Sequence, residues 1–380
     1  MPMNLKLFFK AAEQIEGLPQ SAIGNSIKQL NDESLDISKT DLALVGVTDN
    51  RGTSVNVGVQ GAADAFRKKF YRLKKGSLTY RIADLGNIQN GADYQDTMDR
   101  LKEVCEHLMA TKVTPIIIGG THDIALPQYL AYESKKDLIS VLNVDAKLDV
   151  EDEGDENETF LSKLITHRPN FMFSYNHLGH QSYLVEAGAL SALDKLYFEA
   201  LRLGELRENF HNAEPVVRMA NMLSFDISAI RNADATANAN AQPFGLSGEE
   251  ACQLMWYAGM NEKMSSVSIC EYNPDMDDQH FSTASVVATM VWYFIEGYYN
   301  RKDTGQFNSD QYTKYTVSFE GTDDTMTFYK SRLSEKWWML VNYGDKMMDR
   351  AYIPCSYEDY TTATHGDFPE RWIKAQGKLI

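Results

Sequence analysis

Residues 141–149 read Val141-Leu142-Asn143-Val144-Asp145-Ala146-Lys147-Leu148-Asp149. Val141, Leu142 and Val144 suit a strand buried in a sheet that is covered on both faces. The strand runs into two aspartates four apart, with Lys147 between them. In α/β proteins ligands bind just beyond the carboxyl ends of strands. Carboxylates crowded there repel one another unless a cation neutralises them. That cation is a metal ion, the Lys147 ammonium, or both.

Working outward, residues 113–118 form an apolar strand pattern ending in Gly119-Gly120-Thr121-His122-Asp123. Residues 41–47 and 80–85 read as earlier strands, and 61–73 and 96–110 as helices; Leu101, Val104, Cys105 and Leu108 fall at helical spacing. Downstream, residues 219–225 lead to Asp226, and 267–270 lead to Glu271-Tyr272-Asn273-Pro274. Residues 249–259 and 283–299 read as helices, residues 184–201 alternate only weakly, and the acid-rich 151–158 reads as a loop. Strands alternating with helices predict a mainly parallel sheet with helices on both faces, an α/β fold. Residues 1–40 read as an N-terminal helical extension, with Leu5, Phe8, Phe9 and Ala12 on one face. Beyond residue 300 the texture changes to short strands (315–319, 325–329, 337–341), an appended β-rich segment over 301–380.

Composition narrows the partners. Fifty-three Asp and Glu against 37 Lys and Arg give a net charge of -16 in 380 residues. That argues against nucleic acid and anionic membrane surfaces. None of the four cysteines lies in a CxxC pair, so buried thiols in a reducing compartment are expected. The N-terminus is not a secretion signal, and no apolar run is long enough to span a bilayer. The expected location is cytoplasmic.

The ends of four predicted strands carry His122, then Asp145 and Asp149, then Asp226, then Glu271. Alone, a Gly-Gly-Thr-His stretch is most often a tight turn, and an Asp after a strand is most often a helix cap. Together, one imidazole and three carboxylates suit a divalent ion such as Mn²⁺.

In this order the motifs resemble the ureohydrolase family of arginases, agmatinases and formimidoylglutamases. Gly-Gly-Thr-His-Asp (119–123) is similar to that family's G-G-D-H-S. Asp-Ala-Lys-Leu-Asp (145–149) is similar to D-A-H-x-D, Ser-Phe-Asp-Ile-Ser (224–228) to S-x-D-x-D, and Glu-Tyr-Asn-Pro (271–274) to E-x-N-P. Asp84-Leu85-Gly86 resembles an early D-L-G. The resemblance spans about residues 41–300 and implies a three-layer α/β/α sandwich with a two-manganese site. It implies that His122, Asp145, Asp149 and Asp226 are metal ligands, that Asp145 and Glu271 are catalytic, and that Glu271 also binds substrate.

Two departures are specific. Lys147 and Ser228 stand where the family has ligands to its second metal, and a protonated ammonium has no lone pair to give. Three aspartates against one divalent ion and protonated Lys147 sum to zero charge. Lys147 is therefore expected to replace the second ion, bridging Asp145 and Asp226. The resemblance implies hydrolysis of a C–N bond in a linear amidine or guanidine with one Mn²⁺, formimidoylglutamate first and agmatine-like compounds second. The alternative is a non-catalytic member of the same fold, binding a ligand or serving a structural role, with no metal. The family's habit of forming trimers or hexamers leaves a homo-oligomer open.

Overall fold

The structure is a computed structural model that describes residues 4–379 except 136, 152, 320, 322–323 and 343–349. Residues 1–3 and Asp152, which the predicted extension and acidic loop include, lie outside the described residues.

The N-terminal stretch is not the predicted helix. It contributes two short strands, β1 (Phe9–Lys10) and β2 (Ile27–Gln29), joined by irregular chain and 3₁₀ turns. A short apolar run does not distinguish helix from strand by periodicity. The sheet edge decides the outcome by offering backbone partners, with Phe9 opposite Ile88.

From residue 42 strands and helices alternate. β3 (Leu42–Val47) leads through α1 (Ala62–Phe70) to β4 (Ile82–Ile88), and α2 (Tyr94–Ala110) leads to β5 (Thr114–Gly119). α3 (Ala125–Leu130) precedes β6 (Ile139–Val144), and α4 (Glu156–Thr166) precedes β7 (Met172–His180). α5 (Ala187–Lys195) leads to β8 (Glu199–Arg202), and α6 (Leu203–Glu208) and α7 (Ala213–Met219) lead to β9 (Met222–Asp226). α8 (Gly248–Gly259), β10 (Ser266–Cys270) and α9 (Ser282–Tyr299) complete this part. The sheet order is β1-β4-β3-β5-β10-β9-β6-β7-β8, with β2 also on β4. All of these pairings are parallel except β1 with β4.

Every residue of β3, β5, β6, β9 and β10 is buried, because helices cover both faces of the sheet. One face packs on α1, α8 and α9 through residues such as Phe66, Met255 and Phe294. The other packs on α2, α3 and α4 through Leu101, Tyr129 and Phe160. The result is the expected α/β/α sandwich. Asp84 on β4 serves this packing. Its carboxylate accepts Arg67 Nε at 2.7 Å, Arg67 Nη2 at 2.9 Å and Tyr71 Oη at 2.6 Å, all buried.

Four adjacent central strands, β5, β10, β9 and β6, end side by side, about 4.8 Å apart as neighbouring strands lie. Their carboxyl ends carry His122, Glu271, Asp226 and Asp145 in that order. Gly119 and Gly120 let β5 turn there, with φ of +92° and +74°. A Cβ on Gly119 would lie 2.6 Å from the Val47 carbonyl oxygen.

The remaining chain forms an antiparallel sheet, β11 (Tyr312–Ser318), β12 (Thr325–Ser331), β13 (Trp337–Asn342) and β14 (Arg350–Cys355), followed by α10 (Tyr357–Thr364) and α11 (Glu370–Leu379). It docks on α7 through Arg218, which donates to the Trp337 and Cys355 carbonyls at 3.1 and 3.2 Å and lies over the Trp338 ring. The two tryptophans are therefore part of this packing. The four cysteines are free and buried. No helix among the described residues is long and apolar enough to cross a membrane.

Candidate metal centre

The residue order of the central strands brings His122, Asp145, Asp149 and Asp226 into one buried cluster. His122 Nδ1 lies 2.8 Å from Asp149 Oδ2, 3.4 Å from Asp145 Oδ2 and 3.6 Å from Asp226 Oδ2. One ligand atom each from His122, Asp145 and Asp226 falls within 4.8 Å of the others. On its other side, His122 Nε2 meets Asn143 Oδ1 at 2.9 Å. The amide oxygen can only accept, so Nε2 carries the proton, and a neutral ring turns the Nδ1 lone pair toward the carboxylates.

No other group of the protein reaches that inner surface. Asp145 Oδ2 and Asp149 Oδ2 are buried and face only His122 Nδ1, at 3.4 and 2.8 Å. Buried polar atoms are almost always paired. One imidazole nitrogen and two carboxylate oxygens that meet only one another fit a divalent cation.

The outer surface is different. Asp145 Oδ1 accepts the Ser228 hydroxyl at 3.0 Å and the Lys147 amide at 3.2 Å. Asp226 Oδ1 accepts the Ser228 amide at 2.6 Å. The Asp145 and Asp226 Oδ2 atoms thus face the centre of the cluster, and their Oδ1 atoms are engaged by protein donors.

This arrangement corrects the role expected of Lys147. Its side chain is half-buried, and among the described residues no carboxylate lies within 4.0 Å of its ammonium. The chain at 147 engages Asp145 through its backbone, and the Ser228 hydroxyl supplies the second donor.

The charges follow from crowding. Burial opposes a charged His122, but the Asp145 and Asp149 carboxylates outweigh it and raise the ring well above its ordinary range. Burial would raise Asp145, yet the adjacent His122 holds it at about 2. Burial and the Asp145 charge push Asp149 up to about 7. The same two causes raise Asp226 well above a normal carboxylate. Protons or a cation must balance this cluster, and the two compete for the same atoms.

Glu271 stands at the end of β10, in left-handed backbone with φ of 66°. For a residue with a Cβ this conformation costs about 1–3 kcal/mol and gathers at functional sites. Its carboxylate accepts the His122 amide at 2.9 Å and Asn157 Nδ2 at 3.1 Å on Oε1, and Asn56 Nδ2 at 2.7 Å on Oε2. Burial raises its pKa, and the Asn56, His122 and Asn157 donors oppose that rise. The Phe160 ring lies 4.5 Å from the His122 ring and walls one side of the cluster.

A model of the arginase family matches residues 40–296. The chain belongs to the arginase family. The formimidoylglutamase of Staphylococcus haemolyticus is 24% identical over 275 residues, which cover 68% of this chain and 86% of that protein. The solved Trypanosoma cruzi formiminoglutamase with Mn²⁺ shares the fold, with a TM-score of 0.64 at 22% identity over 71% of this chain and 97% of that one. The Thermoplasma volcanium agmatine ureohydrolase aligns with a TM-score of 0.59 at 20% identity, covering 74% and 95%.

Sequence reasoning passed over Asn56 and Asn143 and treated Asn157 only as part of a loop. Asn143 gave a signal, being an amide two residues before Asp145 and so on the same face of a buried strand. Asn157 lay in the stretch read as a loop, which turns into α4 at Glu156. Asn56 gave none, because a loop asparagine is ordinary. Arg51, in the loop after β3, folds onto Asp49 at 2.5 Å. His177 and His180 are buried, and His177 hydrogen-bonds the Tyr175 hydroxyl and the Asp145 carbonyl.

Proposed function

We propose that this member of the arginase family hydrolyses a C–N bond in a linear amidine or guanidine and uses a single Mn²⁺. The observation that carries this reading is the division of carboxylate oxygens. Three Oδ2 atoms and His122 Nδ1 converge, while Ser228 and the Lys147 amide engage the Oδ1 side. His122, Asp145, Asp149 and Asp226 would hold the ion, which when bound polarises substrate and lowers the pKa of water. Asn143 keeps His122 in the tautomer that can ligate. Glu271 holds the cationic end of the substrate, and Phe160 keeps water from one side.

Relatives named as formimidoylglutamases favour formimidoylglutamate as substrate, with agmatine-like compounds second. The test is metal content of the purified protein beside release of formamide from formimidoylglutamate and of urea from agmatine. Turnover of either with one equivalent of Mn²⁺ supports the reading. A second reading, a non-catalytic protein of the same fold, is favoured by the Ser228 hydroxyl on Asp145 Oδ1. It predicts folded protein with no turnover of either substrate.

A further inference from the structure

We infer that Asn157 is a substrate-binding residue, its Oδ1 accepting one N–H of the amidinium while Glu271 accepts another. This rests on the amidine reading above and adds a residue to it. A carboxylate offers about four acceptor positions. On Glu271 three are in use, two on Oε1 (the His122 amide and Asn157 Nδ2) and one on Oε2 (Asn56 Nδ2). One remains. A planar amidinium presents N–H groups from two nitrogens, and paired recognition of such a fork needs two acceptors. Glu271 alone is one short.

Asn157 supplies the missing acceptor. The residue is 7% exposed, and its Oδ1 is buried without a hydrogen bond. The amide orientation is fixed, because a flip would set Oδ1 against Glu271 Oε1 and lose the 3.1 Å bond. Asn56 differs. Its Oδ1 accepts Asn273 Nδ2 at 2.9 Å and the Ala239 amide at 3.3 Å, so it is a buttress with nothing to offer a ligand. The Asn157 amide donates to the Gly52 carbonyl at 3.2 Å, which pins the first turn of α4 against the loop after β3. One turn further on, the Phe160 ring lies tilted against the His122 ring, with centroids 4.5 Å apart. Asn157 is thus fixed beside Glu271 at the same end of the sheet as the metal cluster.

The test uses the full chain loaded with Mn²⁺ and two ligands, acetamidinium and N,N-dimethylacetamidinium, which keeps N–H groups on only one nitrogen, titrated by calorimetry. Acetamidinium is expected to bind the unaltered protein about tenfold more tightly, the loss typical of a hydrogen bond to a charged group. Asn157→Ala is expected to weaken acetamidinium about tenfold and to remove most of the difference between the two ligands. A role confined to holding Glu271 would weaken both ligands alike and preserve their ratio, which overturns the inference. Equal binding of the two by the unaltered protein also overturns it, and this arm stands even if Asn157→Ala does not fold. Asn157-dependent binding without turnover would defeat the hydrolase reading alone. Turnover with an unchanged KM in Asn157→Ala would defeat this inference alone.

Discussion

Replacing Asn143 with leucine tests whether His122 is held as a ligand. Leucine has nearly the same shape and volume but cannot accept the His122 Nε2 proton, now bonded to Asn143 Oδ1 at 2.9 Å. Both residues are about 1% exposed, so no water replaces the lost acceptor. The ring is then free to rotate or to move its proton to Nδ1, the atom facing the three Oδ2 atoms. Losing such a support to a ligating histidine costs 10- to 100-fold in metal affinity, or about 1.4–2.7 kcal/mol. Calorimetric titration of Mn²⁺ into metal-free protein, with a melting curve to show that the variant is folded, measures this. Asn143→Asp keeps an acceptor and should bind Mn²⁺ at least as tightly as the unaltered chain. An Asn143→Leu protein that folds and binds Mn²⁺ within threefold of the unaltered chain refutes the reasoning.

Other perturbations reach different parts of the molecule. Asp84→Ala strands the Arg67 guanidinium in the core and should cost about 3–5 kcal/mol, lowering the melting temperature by about 5 °C for a chain of this length. Burial, the leading cause, lowers His177 from 6.5 to about 4. Unfolded chains therefore take up its proton first as pH falls below 6.5, and stability drops by about 3 kcal/mol by pH 4 from this residue. His177→Asn should flatten the dependence of melting temperature on pH across that window; an unchanged slope contradicts the assignment. Glu271→Gln should raise KM for an amidine about 10- to 100-fold by removing the charged acceptor, with Mn²⁺ binding retained; an unchanged KM shows that the substrate is held elsewhere.

The β6 stretch was legible because its apolar run is short and ends in acid, and the same pattern marks β5, β9 and β10. Those four ends place His122, Asp145, Asp226 and Glu271 without any knowledge of the loops. The acidic 151–158 stretch misled because Glu156 and Glu158 fall in the first turn of α4, where negative charge stabilises a helix. β7 escaped notice because Ser174, Asn176, His177 and His180 are polar yet buried, which breaks the apolar run that marks the other central strands. The role of Lys147 was misread for a related reason. Charge counting identifies a missing cation, but only the backbone turn at 145–147 and the approach of β9 show that an amide and the Ser228 hydroxyl meet Asp145 Oδ1.

The most direct measurement is the number of manganese ions bound per chain, by elemental analysis after equilibration with excess Mn²⁺ and desalting. One ion is predicted for the unaltered protein, rising to two when Lys147→His and Ser228→Asp are combined. Two ions in the unaltered chain, or none at any concentration, would contradict the account.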